Sequence, residues 1–209
     1  MRHTVFLMGF LLLAGCMGGS VPDDGGSAVK PPTTSRKSPA TTSLEGPATT
    51  VYDEPTTPIT EKPMMIASDA FPDGGSIPAK YTCDGDNVNP ALTVEGIPAN
   101  TRSLVLIVDD PDAPRGTWDH WLLFNIIPGE AIIDEGIPPK SGKTGINSFR
   151  RTSYGGPCPP TGEHRYYFRA YALDTVLDLP ESSGRVEIES VMRSHVIAEA
   201  QLMGRYVRR

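Results

Sequence analysis

The sequence predicts a mainly β domain with one C-terminal helix, on three observations. Short apolar runs recur from residue 64 onward, turn residues (Gly, Pro, Asn, Asp) separate them, and only one stretch carries helical spacing. Continuous apolar runs bounded by turn signals read as buried strands. In chain order, "MIASDAF" and "ALTVEGI" are weaker strand candidates, and "SLVLIVD" (Ser103–Asp109) is a short continuous apolar strand. "WLLFNII" (Trp121–Ile127) is a second such run, and "RYYFRAYAL" (Arg165–Leu173) is a third, rich in strand-favouring aromatics. The helix follows from Ile188, Val191, His195, Ala198 and Leu202, which recur at steps of three and four along one face. Ser183 or Gly184 is placed to cap it, with Glu187 in its first turn. His195, on that face, is expected to be packed with a satisfied nitrogen.

The first 63 residues are of another kind. Arg2 and His3 precede "TVFLMGFLLLAGC", an apolar run too short to span a bilayer and suited to a secretory signal over residues 1–15. Its end, "LAGC", resembles a prokaryotic lipobox, which implies cleavage before Cys16 and lipidation of that cysteine. An ordinary signal peptide with an incidental cysteine is the alternative. Residues 16–63 are dominated by Pro, Ser, Thr and Gly and cannot bury enough surface to offset their ordering entropy. They read as a tether with a root-mean-square reach of roughly 40 Å. Lipid chains on Cys16 would make the protein an extracytoplasmic, membrane-anchored lipoprotein without a transmembrane helix. Residues 64–209 form one domain of ordinary size.

Beyond Cys16, Cys83 and Cys158 remain, and in an oxidising compartment they form a candidate disulfide. Two free buried thiols are the other reading. The net charge of −6, with no basic run beyond the terminal "RYVRR", argues against nucleic-acid binding.

Two segments carry chemistry. In "VDDPDAPRGTWDHWLLF", aspartates follow a buried strand and Trp118 and His120 lead into the next. Two residues apart, these side chains face one side of an extended chain, while Asp119 and Trp121 face the other. In "YGGPCPPTGEHRYYF", His164 and Tyr166 have the same spacing after a stiff glycine-proline loop. The simplest geometry joins both strand entries around one small pocket, with an apolar rim of Trp118, Tyr166 and the prolines and imidazole donors from His120 and His164. Gly155 and Gly156 leave backbone N–H groups bare, as an anion-binding nest requires. The site therefore suits a small oxyanion. Asp110 would orient His120 or accept a ligand ammonium; protonation by its surroundings is a third role.

Other chemistries fit less well. Asp110, Asp112, His120 and His164 lie in no H-x-x-x-H, C-x-x-C or calcium-loop pattern, so no metal or other cofactor is expected. No G-x-S-x-G elbow surrounds Ser148 or Ser153, which argues against a serine hydrolase.

"DDPDAPRGTWDHWLLFNI" and "YGGPCPPTGEHRYYFRAYAL" resemble the two signature blocks of the phosphatidylethanolamine-binding protein family. "YTCDGDNVNPALTVEGIP" resembles the opening of its bacterial and archaeal, Raf-kinase-inhibitor-like branch. The resemblance runs from about Met64 to Tyr206 and includes "HVIAEAQLMGRY", read as a terminal helix. It implies an antiparallel β-sandwich, a large sheet on a smaller one, with one shallow anion pocket. Asp110, Pro114, Trp118 and His120 match pocket residues of the first block, and Gly156, Pro157, His164 and Tyr166 those of the second. Asn87-Val88-Asn89-Pro90 departs from the branch, which often has a serine before the proline. Members of the family are binders and inhibitors, so a non-enzymatic role is expected: binding a small anionic ligand such as a phospholipid headgroup. An exported inhibitor of a protease or other protein partner is the alternative, and an exported domain would not meet a cytoplasmic kinase.

Overall fold

The computed structural model describes residues 62–208; the expected signal segment, Cys16 and most of the expected tether lie outside the described residues. Eight strands and one helix follow in the order β1 (Met65–Ala67), β2 (Leu92–Glu95), β3 (Ser103–Asp110), β4 (Trp118–Ile126), β5 (Ile132–Ile133), β6 (Lys143–Thr144), β7 (Glu163–Leu173), α1 (Arg185–Met192) and β8 (Val196–Val207). They form two antiparallel sheets, β1-β2-β5 and β6-β4-β3-β7-β8. Among the described residues no helix is long and apolar enough to cross a membrane.

Strand alternation divides the large sheet's side chains between two cores. Leu104, Leu106 and Val108 of β3 and Phe168, Ala170 and Ala172 of β7 pack with Ile66, Leu92, Val94 and Ile133 of the small sheet. That is the inner core of the sandwich. The opposite face carries Val105, Ile107, Leu122, Phe124 and Leu173, covered by Ile188 and Met192 of α1. Every residue of β3 is buried, as its unbroken apolar run requires of the sheet's middle strand.

The C-terminal helix is shorter than expected. Gly184 is its N-cap, and its N–H donates to Glu187 Oε2 at 3.0 Å, but the helix ends at Met192. The segment expected to continue it is β8, paired along β7 from Glu163↔Val207 to Leu173↔Val196. Val191 is exposed, and Ala198, Ala200, Leu202 and Tyr206 pack on the inner core at a period of two. His195 lies in the turn between the two elements, part-exposed, with Nδ1 2.8 Å from Asp174 Oδ1. Its nitrogen is satisfied as expected, but it is not on a helix.

Candidate functional site

At one end of the large sheet the inner-face rows turn from apolar to polar. On β3 the row Leu104, Leu106, Val108 ends at Asp110; on β7 the row Ala172, Ala170, Phe168 ends at Tyr166 and His164. Antiparallel pairing sets these ends side by side, since Asp109 pairs with Tyr167 and Asp110 with Trp118.

His120 arrives by a different device. Val108 pairs with Trp121 and Asp109 with Asp119, so His120 is the extra residue of a β-bulge. The bulge corrects the expected alternation. Trp121 lies on the inner side with His120, packed in the core, and only Asp119 crosses to the outer face, where Arg185 Nη1 bonds its carboxylate at 2.9 Å. Trp118 and His120 do share a side. Each meets the Phe149 ring edge-on, at a centroid distance of 5.4 Å. His120 also meets Tyr166 edge-on at 5.3 Å, and Tyr166 stacks on His164 at 6.5 Å.

The cluster is close to sealed: Asp110 is 4 % exposed, His120 2 %, His164 6 % and Tyr166 0 %. Each imidazole is fixed through Nδ1. The His120 Nδ1–H donates to the Gly155 carbonyl at 2.5 Å, and the His164 Nδ1–H donates to Asp110 Oδ2 at 2.8 Å. A carbonyl can only accept, so the Nδ1 proton of His120 is fixed. Neither Nε2 has a partner among the described residues, and neither is fully enclosed. Tyr166 Oη, by contrast, is completely buried without a partner. Burial holds the His120 pKa below the ordinary imidazole value, against the opposing pull of the Gly155 carbonyl and the Asp110 carboxylate. Burial, reinforced by Asp110, pushes Tyr166 well above the usual phenol range.

Two expectations need correction. Asp110 orients His164, not His120. Its other oxygen, Oδ1, accepts the Asp112 N–H at 2.8 Å, so each oxygen already holds one protein donor. Nor do Gly155 and Gly156 form a bare nest. The Gly155 N–H donates to the His120 carbonyl at 3.1 Å, and the Gly156 N–H donates to Asn87 Oδ1 at 2.7 Å. These glycines are small because the chain is crowded there. A Cβ on Gly155 would lie 2.6 Å from the Phe149 ring, and one on Gly156 2.4 Å from the Tyr81 carbonyl.

The remaining expected residues are placed as follows. Pro157 is buried, and its carbonyl accepts the Cys83 N–H at 3.0 Å. Pro114 is exposed in the loop after Asp110. Cys83 and Cys158 are disulfide-bonded, with Cα atoms 5.4 Å apart, beside the cluster rather than within it. Asp112 is occupied by Arg165, which binds it through its backbone and guanidinium N–H groups.

Sequence reasoning missed three supports. Phe149 packs on both Trp118 and His120. Asn147, buried, donates to the His120 and Ser153 carbonyls at 2.9 Å and accepts the Phe149 and Arg151 N–H groups. Asn87, in the left-handed region at φ 57°, holds Gly156. None lies in a periodic segment; only the turn-forming character of asparagine marked Asn87 and Asn147, and nothing marked Phe149.

A family model described as phosphatidylethanolamine-binding protein matches residues 67–207. The chain belongs to the phosphatidylethanolamine-binding protein family. Among its relatives, a UPF0098 protein of Methanothermobacter thermautotrophicus is 46% identical over 150 residues, covering 69% of this chain and 99% of the relative. A UPF0098 protein of Pyrococcus abyssi is 48% identical over 156 residues, covering 70% and 86%. In solved structures, a phosphatidylethanolamine-binding protein homologue from Chlamydia trachomatis superposes with a TM-score of 0.68 at 40% identity, covering 70% of this chain and 99% of the other. YbcL of E. coli, described as a member of the mammalian family, gives 0.67 at 27%, covering 71% and 100%. The two-sheet architecture and the family expected from the signature blocks are thus both established.

Proposed function

We propose that the protein binds a small anion, phosphate or a phosphomonoester such as a lipid headgroup, while held at an extracytoplasmic membrane surface by a lipid on Cys16. One observation carries the reading: in one buried cluster two imidazoles, each with Nδ1 committed, keep an Nε2 that has no partner among the described residues and is not fully enclosed. Asp110 accepts the Nδ1–H of His164, and a protonated Nε2 on that ring would donate to an anion. His120, kept neutral by burial, would take up a proton as the anion arrives. Trp118 and Phe149 supply an apolar flank. Because each Asp110 oxygen already holds a protein donor, recognition rests on the phosphate before an ethanolamine ammonium. The family's name supports a headgroup as the source of that phosphate. The cluster offers imidazoles, a carboxylate and a phenol but no activated nucleophile, which favours binding over turnover.

The test is thermal unfolding with inorganic phosphate, phosphoethanolamine or acetate, since a ligand of the folded state raises Tm by mass action. Phosphate and phosphoethanolamine are expected to raise Tm alike, and the rise to vanish in His120→Ala. A flat response of the wild-type protein to all three would overturn the reading.

A further inference from the structure

A cavity of about 370 Å³, within the range of small-molecule sites, is lined by Tyr154 together with residues of the loops around Asn87 and Thr152. Its lining carries no charge among the described residues, in a chain of which 21% is charged. It is instead rich in uncommitted neutral polar groups.

Asn89 is the most telling of them, at 4 % exposure. Both its amide hydrogens are spent, on the Asp134 carbonyl at 2.9 Å and the Pro90 carbonyl at 3.1 Å, which fixes the orientation of the amide. Its Oδ1 has no partner and is not fully enclosed, and the residue lines the cavity, so that acceptor is offered there. Asn87 does the converse. Its Oδ1 is taken by the Gly156 N–H at 2.7 Å, leaving the Nδ2 hydrogens to donate. Thr144, Thr152 and Ser153 add three side-chain hydroxyls with no hydrogen bond among the described residues. The rings of Trp121 and Tyr154, edge-to-face at 5.7 Å, complete the lining with Val88, Gly136 and Pro138.

An ion would find no counter-charge here. A hydroxyl, which both donates and accepts, would find each partner it needs, and the aromatic and aliphatic lining would meet the C–H surface between hydroxyls. We infer that this cavity is a binding site for a neutral polyhydroxylated ligand, of the saccharide or polyol class. The inference is independent of anion binding, although Tyr154 of the cavity adjoins Gly155, which holds His120.

The experiment is a ¹⁵N NMR titration of the full chain with maltose, N-acetylglucosamine and glycerol at millimolar concentrations. At least one is expected to move the Asn89 side-chain amide and the Thr152 and Ser153 backbone amides, with inorganic phosphate leaving Asn89 unmoved. Thr144→Val with Thr152→Val keeps the cavity's shape and removes two hydroxyls. This variant, once its spectrum shows wild-type dispersion, is expected to bind about tenfold more weakly. The proposal is overturned if none of the three compounds moves these amides, or if the double variant binds as tightly as wild type.

Discussion

Replacing Gly156 by alanine separates two explanations of the bare loop. Were the glycine there to open its backbone to a ligand, Gly156→Ala would weaken anion binding and leave stability intact. The structure leads to the reverse. The new Cβ would sit 2.4 Å from the Tyr81 carbonyl oxygen, 2.7 Å from Asn87 Oδ1 and 2.8 Å from Thr82 Cα. Carbon–oxygen contacts need about 3.3 Å, so a wall must retreat by roughly 1 Å. That wall is pinned by the Cys83–Cys158 bond, by Cys83 N–H to the Pro157 carbonyl at 3.0 Å, and by Tyr154 O–H to the Tyr81 carbonyl at 3.1 Å. Overpacking costs about 1–3 kcal/mol. Losing the Gly156 N–H bond to Asn87 adds about 1 kcal/mol. A loss of about 3 kcal/mol is expected, or about 8 °C in Tm for a domain of this size. Equilibrium urea unfolding of the oxidised protein measures it. Gly129→Ala is the control: nothing lies within 4 Å of its Cβ and its φ is not positive, so it should be neutral or slightly stabilising. A loss below about 0.5 kcal/mol in Gly156→Ala would refute the packing argument.

Three further outcomes are expected. Reducing Cys83–Cys158, whose sequence separation is 75, should cost about 4 kcal/mol from loop entropy, read as the difference between urea curves with and without a phosphine reductant. A cost below about 1 kcal/mol would show that the bond constrains little. Arg185→Ala should cost about 1–2 kcal/mol, because Arg185 Nη1 bonds Asp119 and the buried Asp109 at 2.9 Å while Arg169 Nε, 3.0 Å from Asp109, still pairs it; near-neutral behaviour would contradict its structural role. Burial depresses the His120 pKa, so below the unfolded value of about 6.5 the unfolded chain binds a proton that the folded chain refuses. Stability is therefore full above that pH and declines as pH falls below it, and His120→Gln should flatten that part of the pH–stability curve; an unchanged slope would exclude His120 as its source.

The strands that position the site were legible where burial alone shapes the sequence. β3 is an unbroken apolar run, and β7 alternates so that His164 and Tyr166 had to share a face with Phe168. β8 was misread because Ala198 and Leu202 are four apart, a spacing common to one helical turn and to two strand periods. The Ala-Glu-Ala-Gln-Leu alternation that favours a strand there is made of good helix formers, and pairing along β7 overrides their propensity. The bulge at His120 was invisible for a different reason: an extra residue in a strand leaves no mark in composition, yet it reverses every facing after it. The second bulge in β4, where Asn125 adopts φ 60° and bonds both the Leu177 N–H and carbonyl, was equally silent. At the site, residue identities could be read from the sequence, whereas partners could not. That Asp110 serves His164, and that the glycine N–H groups are occupied, depends on which loop meets which.

The central claim is that His120 and His164 present Nε2 to an anion while Nδ1 stays bound to the protein. Imidazole ¹⁵N shifts during a phosphate titration test it most directly. Both Nδ1 atoms should be protonated from the start, and phosphate should shift the Nε2 resonances of His120 and His164 together, leaving those of His195 in place. Nε2 resonances of His120 and His164 that stay fixed at saturating phosphate would contradict the account.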